Sequence, residues 1–435
     1  MKLTSFQVES GLELATNGLA YVAIFSLFFS FTNFLFLSAI FSGIALILSP
    51  LVILQGLAKH KSLAIFFIGF IYFFVVALLY DPSAFIDFDF YRRDGNLFIS
   101  FAPLMALPLF QSLGEKFWKT ESLIKGLIII SLFTNIPLLI YWLATGNLYT
   151  PENGLAEAGY FSALFLSTNA AGGFFAVLLS LSTVYLFQPK ERWWGIVSCL
   201  MLGFMLYETS SRGSLYGWFL AVLLCVLFKR WQFRFFSIML PGLAVILLFA
   251  GAVLSLEQPR EAKAYDEALA QGQLSFGADI GEKEANWQIR TQVLWPRALD
   301  LALQSPLFGI GFGAYDDRPV ELEEYIPGLT SFNKNGDHIH SDAHAHNSYL
   351  HMFAECGVIG LSIFLGMLYS VLMTISKISN SRLCFGLTLA FWTLTFASLS
   401  EHRWVSPSNA LPFFLILLLA LIENGEVAQV THEEL

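Results

Sequence analysis

Long apolar windows constrain this chain before any motif does. Hydrophobic stretches of roughly 17 to 25 residues, the length that crosses a hydrocarbon core as a helix, recur along almost the whole sequence. Inside lipid each backbone N–H and C=O must find a partner within the protein, which leaves helices and closed barrels. Strand-like alternation is absent, which excludes a barrel and predicts an all-α integral membrane protein. Composition agrees: 56% hydrophobic against 13% charged is too apolar for an ordinary soluble chain.

About twelve transmembrane helices are expected, at 14–31, 33–55, 62–80, 94–111, 122–144, 161–187, 193–208, 212–228, 235–256, 347–375, 383–400 and 407–423. The first pair must fold back at "SFTN", because a single helix of that length would overshoot the bilayer. The division is then helices one to nine over 1–256, a large loop over 257–346, helices ten to twelve over 347–423, and a cytoplasmic tail over 424–435. The N-terminus lacks a basic cluster and a small-residue cleavage site, so the first span is expected to be retained rather than cleaved as a signal peptide. The four cysteines fall in expected spans without metal-type spacing and read as small apolar side chains.

Connections after the even-numbered spans carry Lys59 and Lys61, Lys116 and Lys119, Lys190 and Arg192, Lys229, Arg230 and Arg234, then Lys377 and Arg382. The positive-inside rule makes those loops cytoplasmic. The net charge of -9 reflects acids concentrated in one loop, and nothing supports nucleic-acid binding. On the opposite side, Arg92 and Arg93 in "FYRRDGN", Arg212 in "ETSSRGS" and Arg403 in "SEHRW" run against the topological bias. Each could snorkel to headgroups. Four together, with Glu401 and His402 adjoining Arg403 and a long loop on the same side, look more like a shared anion site. That loop holds seven Lys/Arg and fifteen Asp/Glu, too interrupted for an independent core, and is expected to form a partly helical lid.

Three motifs compete for chemistry. Gly309, Gly311 and Gly313 in "SPLFGIGFGAYDD" suggest phosphate cradling, but no strand-turn-helix unit surrounds them, and a tight turn ending a helix is the better reading. Asp87 and Asp89 form a D-x-D triplet like that of metal-dependent sugar transferases, a pattern common by chance. His338, His340, His344 and His346 crowd "HIHSDAHAH". Alternating His and Asp can ligate zinc, yet i, i+2 spacing in an extended segment fixes no tetrahedron and no second ligand group is present, so no metal is expected. His338, His340 and His344 read as incidental members of a hydrated loop.

His346 differs, since Asn347, Ser348 and an apolar helix follow at once. An imidazole at the membrane surface is a natural general base for a sugar hydroxyl. Asn347 either orients it or caps the helix. His351 and Glu355, farther along, read as buried ionisable positions held by interior hydrogen bonding, with Glu355 on roughly the opposite face from His346. Several arginines beside such a base suit a polyprenyl pyrophosphate leaving group, because the guanidinium fork matches phosphate oxygens and can pair the charge that grows on departure. Arg212, Arg290 and Arg403 are the candidates. Arg290 opens "RTQVLWPRALDLALQSP", which reads as an interfacial amphipathic helix with Arg297 on the same face; pairing with loop acids is the competing role for both.

"HNSYLHMFAECGVIG" resembles the signature of the O-antigen ligase and polymerase superfamily: a histidine, a small polar residue, nine positions, then Gly-x-x-Gly, here His346, Asn347, Gly357 and Gly360. "STNAAGGFFAVLL", "TSSRGSLYGWFLAVLL", "IRTQVLWPRALDLALQSPLFGIGFGAY" and "SLSEHRWVSPSNALPFFLILL" resemble the family's other segments in their usual order, over about 160–423. The resemblance implies a GT-C-like multi-pass enzyme of the bacterial inner membrane. Such an enzyme moves a glycan from undecaprenyl pyrophosphate to an acceptor on the periplasmic face, without cofactor or metal. It matches the base to His346 and phosphate-binding arginines to Arg212 and Arg290, while Arg92 and Arg93 map to no part of the pattern. The acceptor separates a ligase, which uses the lipid A core of lipopolysaccharide, from a polymerase, which uses a second lipid-linked repeat unit. A single large periplasmic loop tilts the expectation to the ligase. A protein O-oligosaccharyltransferase is a third variant. A lipid-linked glycan transporter is the reading from another class; it would favour broken helices in paired halves, which the sequence does not display.

Overall fold

The computed structural model describes residues 63–80, 119–145, 161–163, 165, 168–227, 290–315, 324, 344–403 and 412–424. The helices expected at 14–31, 33–55, 94–111 and 235–256 lie outside them, as do Asp87, Asp89, Arg92, Arg93, His338, His340 and the tail after 424. Among the described residues every regular element is helical: α1 (Ala64–Tyr80), α2 (Thr120–Thr145), α3 (Thr168–Leu186), α4 (Arg192–Glu208), α5 (Arg212–Leu227), α6 (Trp295–Gln304), α7 (Ser348–Ile375), α8 (Ser381–Ala397) and α9 (Pro412–Asn424). Three stretches, Thr120–Ala144, Thr168–Leu186 and Ser348–Ile375, are long and apolar enough to cross a membrane, and α1, α5, α8 and α9 are shorter apolar helices. The chain is a membrane protein.

The third described helix starts later than the expected 161. Phe161 N–H is tied to Glu208 O, far along the chain, and Phe165 N–H closes a turn onto Ser162 O, so the backbone there is bonded outside a helix. From Thr168 the chain enters α3, almost wholly buried, which packs against α4 and α8, while α5 lies along α8. Small residues allow the close approaches. A Cβ at Gly217 of α5 would stand 2.7 Å from Thr393 O and 2.9 Å from Ala397 N of α8. Outward faces of α1, α2, α4 and α5 carry exposed apolar side chains, among them Ile71, Leu79, Phe133, Leu200 and Phe219, as lipid-facing surfaces require.

The bundle has two chemically different ends. At one, Glu121 gathers Gln188 Nε2 (3.0 Å) and Asn380 Nδ2 (3.1 Å), and Arg382 lies 3.7 Å away. Lys125 pairs with Glu191 at 2.7 Å beside them. This end holds the connections that carry Lys190, Arg192, Lys377 and Arg382. The other end holds the start of α3, the 209–211 turn, the 398–403 turn and the entry to α7 at 344–347.

The expectation of one unbroken helix over 347–375 is corrected at its middle. Gly357 has φ 66 and ψ -170, a non-helical conformation that interrupts α7. The segment after α6 fills the break. Ile310 N–H and Gly311 N–H donate to Ala354 O and Glu355 O (both 3.0 Å), and Val358 N–H and Ile359 N–H donate to Pro306 O (2.9 Å) and Leu307 O (3.3 Å). Tyr72 Oη closes on Cys356 O at 2.7 Å. Broken helices survive at membrane depth only when neighbours satisfy the freed groups, and here each side of the break finds such partners. The glycines at 309 and 311 (φ 77 and 124) belong to this docked turn ending a helix, as the sequence suggested.

Candidate active site

The N-terminal half of α7 carries the site. Asn347 is its N-cap: Oδ1 accepts Tyr349 N–H and Leu350 N–H, both at 3.1 Å, so the capping reading holds. One residue earlier, His346 has φ 46, a left-handed conformation that a side chain adopts at a cost of order 1–3 kcal/mol and that clusters at functional sites. The ring is half-buried, and Nδ1 is enclosed with no hydrogen-bond partner among the described residues.

The 398–403 turn is latched to this entry by Ser348. Its N–H donates to Ser398 O (3.0 Å), its Oγ donates to Glu401 O (3.0 Å), and Arg403 N–H donates to Ser348 Oγ (2.9 Å). Tyr349 Oη adds a bond to Thr395 O at 3.0 Å. His402 and Arg403 are thereby fixed against the histidine helix although more than fifty positions separate them in sequence.

Two of the expected arginines converge here. Arg403 is buried and donates from Nη1 to Asn169 O (2.7 Å) and from Nη2 to Ser214 Oγ. Gly173 of α3 makes room for it, since a Cβ there would lie 2.4 Å from Nη1. Arg290 donates from Nη1 to Ser400 O at 2.7 Å, with Glu401 Oε1 at 3.5 Å. Burial works against the charge on Arg403, Glu401 supports it and Arg290 opposes it, leaving two guanidinium groups about one buried carboxylate. Arg212 is exposed in the first turn of α5, and the next residue, Gly213, packs so closely on Ser400 and Glu401 that a Cβ would lie 2.7 Å from Glu401 Cγ. Its backbone adjoins the arginine pair.

Arg297 departs from the expected shared face. Residues Arg290–Leu294 form a π-helical turn, whose i→i+5 bonding shifts the angular phase before α6 begins. Arg297 is consequently buried over the Tyr315 ring, 4.4 Å from its centroid, with Nη2 donating to Tyr315 O at 3.2 Å. It holds the glycine-rich turn onto α6, in a small core with Leu294, Ala298, Ala345 and Leu350.

The reading of His344 as a hydrated bystander is overturned. Its ring stacks on His402 (centroids 4.9 Å, planes 15° apart) and lies 6.2 Å from His346. His402 meets His351 edge-on at 4.3 Å, and His351 Nε2 lies 3.2 Å from Glu355 Oε2. Glu355 Oε1 accepts Tyr315 N–H at 3.0 Å, so the interior hydrogen bond expected of Glu355 is present, whereas His351 Nε2 and Glu355 Oε2 face each other without a hydrogen bond. Burial, then Arg290, His344 and His351, push His346 well below the usual histidine value; burial and the neighbouring His351, His344, His346 and Arg403 do the same to His402. Both are neutral at pH 7. Among the described residues no group of three or more His, Cys, Asp or Glu side chains is arranged to hold a metal ion.

Sequence reasoning passed over Ser214, Asn169, Ser348 and Tyr315. Ser214 had a signal in "SSRGS", because small hydroxyl residues about a buried arginine are its natural acceptors. Nothing in the sequence marked the Asn169 backbone carbonyl.

Residues 197–365 match a family model described as O-antigen ligase. The matched interval contains Arg212, Arg290, His346 and the break at Gly357, and ends before His402 and Arg403. No curated protein matches the chain.

Proposed function

With the match supporting the O-antigen ligase and polymerase superfamily, a glycosyltransferase-like group, as premise, we propose that this chain transfers an O-antigen-type glycan from undecaprenyl pyrophosphate to the lipid A core on the periplasmic face of the bacterial inner membrane. The observation that carries the reading is the convergence of Arg290 and Arg403 on the His346 entry of α7. It lies at the end of the bundle away from the Lys- and Arg-bearing connections, which the positive-inside rule assigns to the cytoplasm.

In this mechanism the acceptor hydroxyl attacks the anomeric carbon, His346 takes its proton, and the bond to pyrophosphate breaks with the electron pair leaving on phosphate. Arg290 and Arg403 pair the departing charge, with Arg212 at the exposed rim and Glu401 holding the arginines apart before substrate arrives. Donor binding also tunes the base. Arg290 is, after burial, the main influence depressing His346, and a pyrophosphate paired with Arg290 offsets it, so the imidazole gains basicity as the site fills. Asn347 fixes the helix start, and Arg297 fixes the turn behind it.

The test is reconstitution of the purified protein with undecaprenyl-pyrophosphate glycan and, separately, lipid A core or a second donor molecule as acceptor. A single glycan chain joined to lipid A core is expected. Growth of the lipid-linked glycan in multiples would assign the polymerase reaction, and glycan movement across vesicles without transfer would refute the enzyme reading.

A further inference from the structure

The turn that fills the break in α7 lies at a depth that helix geometry fixes. From Ser348 to Gly357 the chain descends about 14 Å from the helix entry, at about 1.5 Å per residue. A second route reaches the same depth. Arg290 is bonded to Ser400 O at the His346 end of the bundle, and α6 then runs about 15 Å before the 306–311 turn meets the break. With 28 residues, α7 is about 42 Å long against a hydrocarbon core of about 30 Å, so about 6 Å overhangs at either end and the turn stands about 8 Å inside the hydrocarbon. Contacts with α1 agree with that depth: Phe312 is buried and stacks on Phe73, in the middle of α1, at 5.5 Å.

The outward face of this segment changes character on the way down. On α6, Ala298, Leu301 and Ala302 turn inward, while Asp300, Leu303 and Gln304 turn outward. Below them Leu307 and Phe308 are each more than half exposed. They abut Val358, itself exposed on the membrane-spanning α7: Val358 N–H donates to Pro306 O, and a Cβ at Gly357 would meet Leu307 O at 2.3 Å and Phe308 N at 2.5 Å. The face thus opens with a carboxylate and closes on large apolar side chains. A lid standing in water would keep polar residues outward along its whole length. Gln304 sits in the last turn of α6, where open carbonyls accept an amide donor.

We propose that residues 295–312 form a re-entrant hairpin inserted into the leaflet on the side of the His346 entry, with Leu303, Leu307 and Phe308 in contact with lipid acyl chains. Continuity with the lipid-facing Val358 selects acyl chains as the occupant. Irregular backbone can be held at that depth because it is buried on one side against protein, here by the exchanged hydrogen bonds with α7. The helix expected to lie in the interface therefore descends from it. Arg290, at the head of the hairpin, is kept by this insertion at headgroup height on the 398–403 turn.

The experiment places a nitroxide on Asp300→Cys, Leu303→Cys, Leu307→Cys and Phe308→Cys in the full chain reconstituted in phospholipid vesicles, and measures its collisions with oxygen, which concentrates in hydrocarbon, and with a water-soluble nickel chelate. Phe133→Cys, on the exposed face of α2, is the lipid reference. Wild type taken through the same labelling gives the background of the four native cysteines, which are buried or half-buried. All five positions are exposed, so the labels displace no packed side chain, and an unchanged melting temperature checks the fold. Oxygen collisions should exceed nickel collisions at Leu303, Leu307 and Phe308, with the excess growing toward Phe308 and approaching that at Phe133, and nickel should dominate at Asp300. Nickel dominating at Phe308 would make the segment a lid in water and overturn the insertion. Few collisions with either reagent at Leu307 and Phe308 would mean that a second copy, or another segment of this chain, covers the stripe, and would overturn the lipid contact.

Discussion

Replacing Gly173 by alanine adds no charge and removes none, yet it should disable the site. Built on this backbone, the new methyl carbon stands 2.4 Å from Arg403 Nη1 and 3.0 Å from Cζ, so the guanidinium must withdraw. The Nη1 bond to Asn169 O, now 2.7 Å, is lost with it. A hydrogen bond to a charged group contributes about 1.5–3 kcal/mol. Against this, alanine in a helix interior gains about 1 kcal/mol over glycine. The loss wins, and Gly173→Ala should be less stable by about 0.5–2 kcal/mol. If Arg403 pairs the leaving pyrophosphate, the same 1.5–3 kcal/mol taken from the transition state slows transfer about 10- to 150-fold. The control is Gly203→Ala in α4, where a Cβ meets nothing within 4 Å, so only the helix gain remains. Thermal unfolding in detergent together with transfer rate reads both effects. A Gly173→Ala protein that gains stability like Gly203→Ala and turns over normally would refute the placement of Arg403.

Gly357→Ala should lower stability by about 3 kcal/mol or more, because the residue has φ 66 and a Cβ would lie 2.3 Å from the Leu307 carbonyl carbon and oxygen, which cannot step aside cheaply; an unchanged melting temperature would show that the break does not depend on glycine. The pH dependence follows from two histidines whose folded values lie well below 6.5. The unfolded chain binds their protons first on acidification, so stability is flat above about pH 7 and falls as pH drops through 6.5 toward the lowered folded values. Melting temperature followed from pH 8 to 5 should show that decline, and a smaller one in His402→Gln; a rise on acidification would contradict the burial described.

Much of the fold was legible because span length and apolarity are properties of single segments. Eight expected helices coincide in place with described ones, and α3 begins later than expected, where Phe161 N–H bonds across to Glu208 O and Phe165 N–H closes a turn. The break in α7 was not legible. Its cause is a backbone docked from residues 306–311, a tertiary partner that periodicity does not encode, although the glycines at 309, 311 and 357 were its trace. In the candidate site, the Asn347 cap was readable because a polar residue there precedes an apolar helix, and the proposed base, His346, stands beside it at the same helix entry. Arg297 was misjudged because a π-helical turn altered the phase, and His344 because its partner, His402, is distant in sequence.

The most direct measurement of the central claim is single-turnover transfer from undecaprenyl-pyrophosphate glycan by wild type and His346→Ala, with donor binding measured in parallel. The account predicts that His346→Ala still binds donor and loses transfer at least about 100-fold, the contribution of a general base. Transfer at the wild-type rate without that imidazole would contradict it.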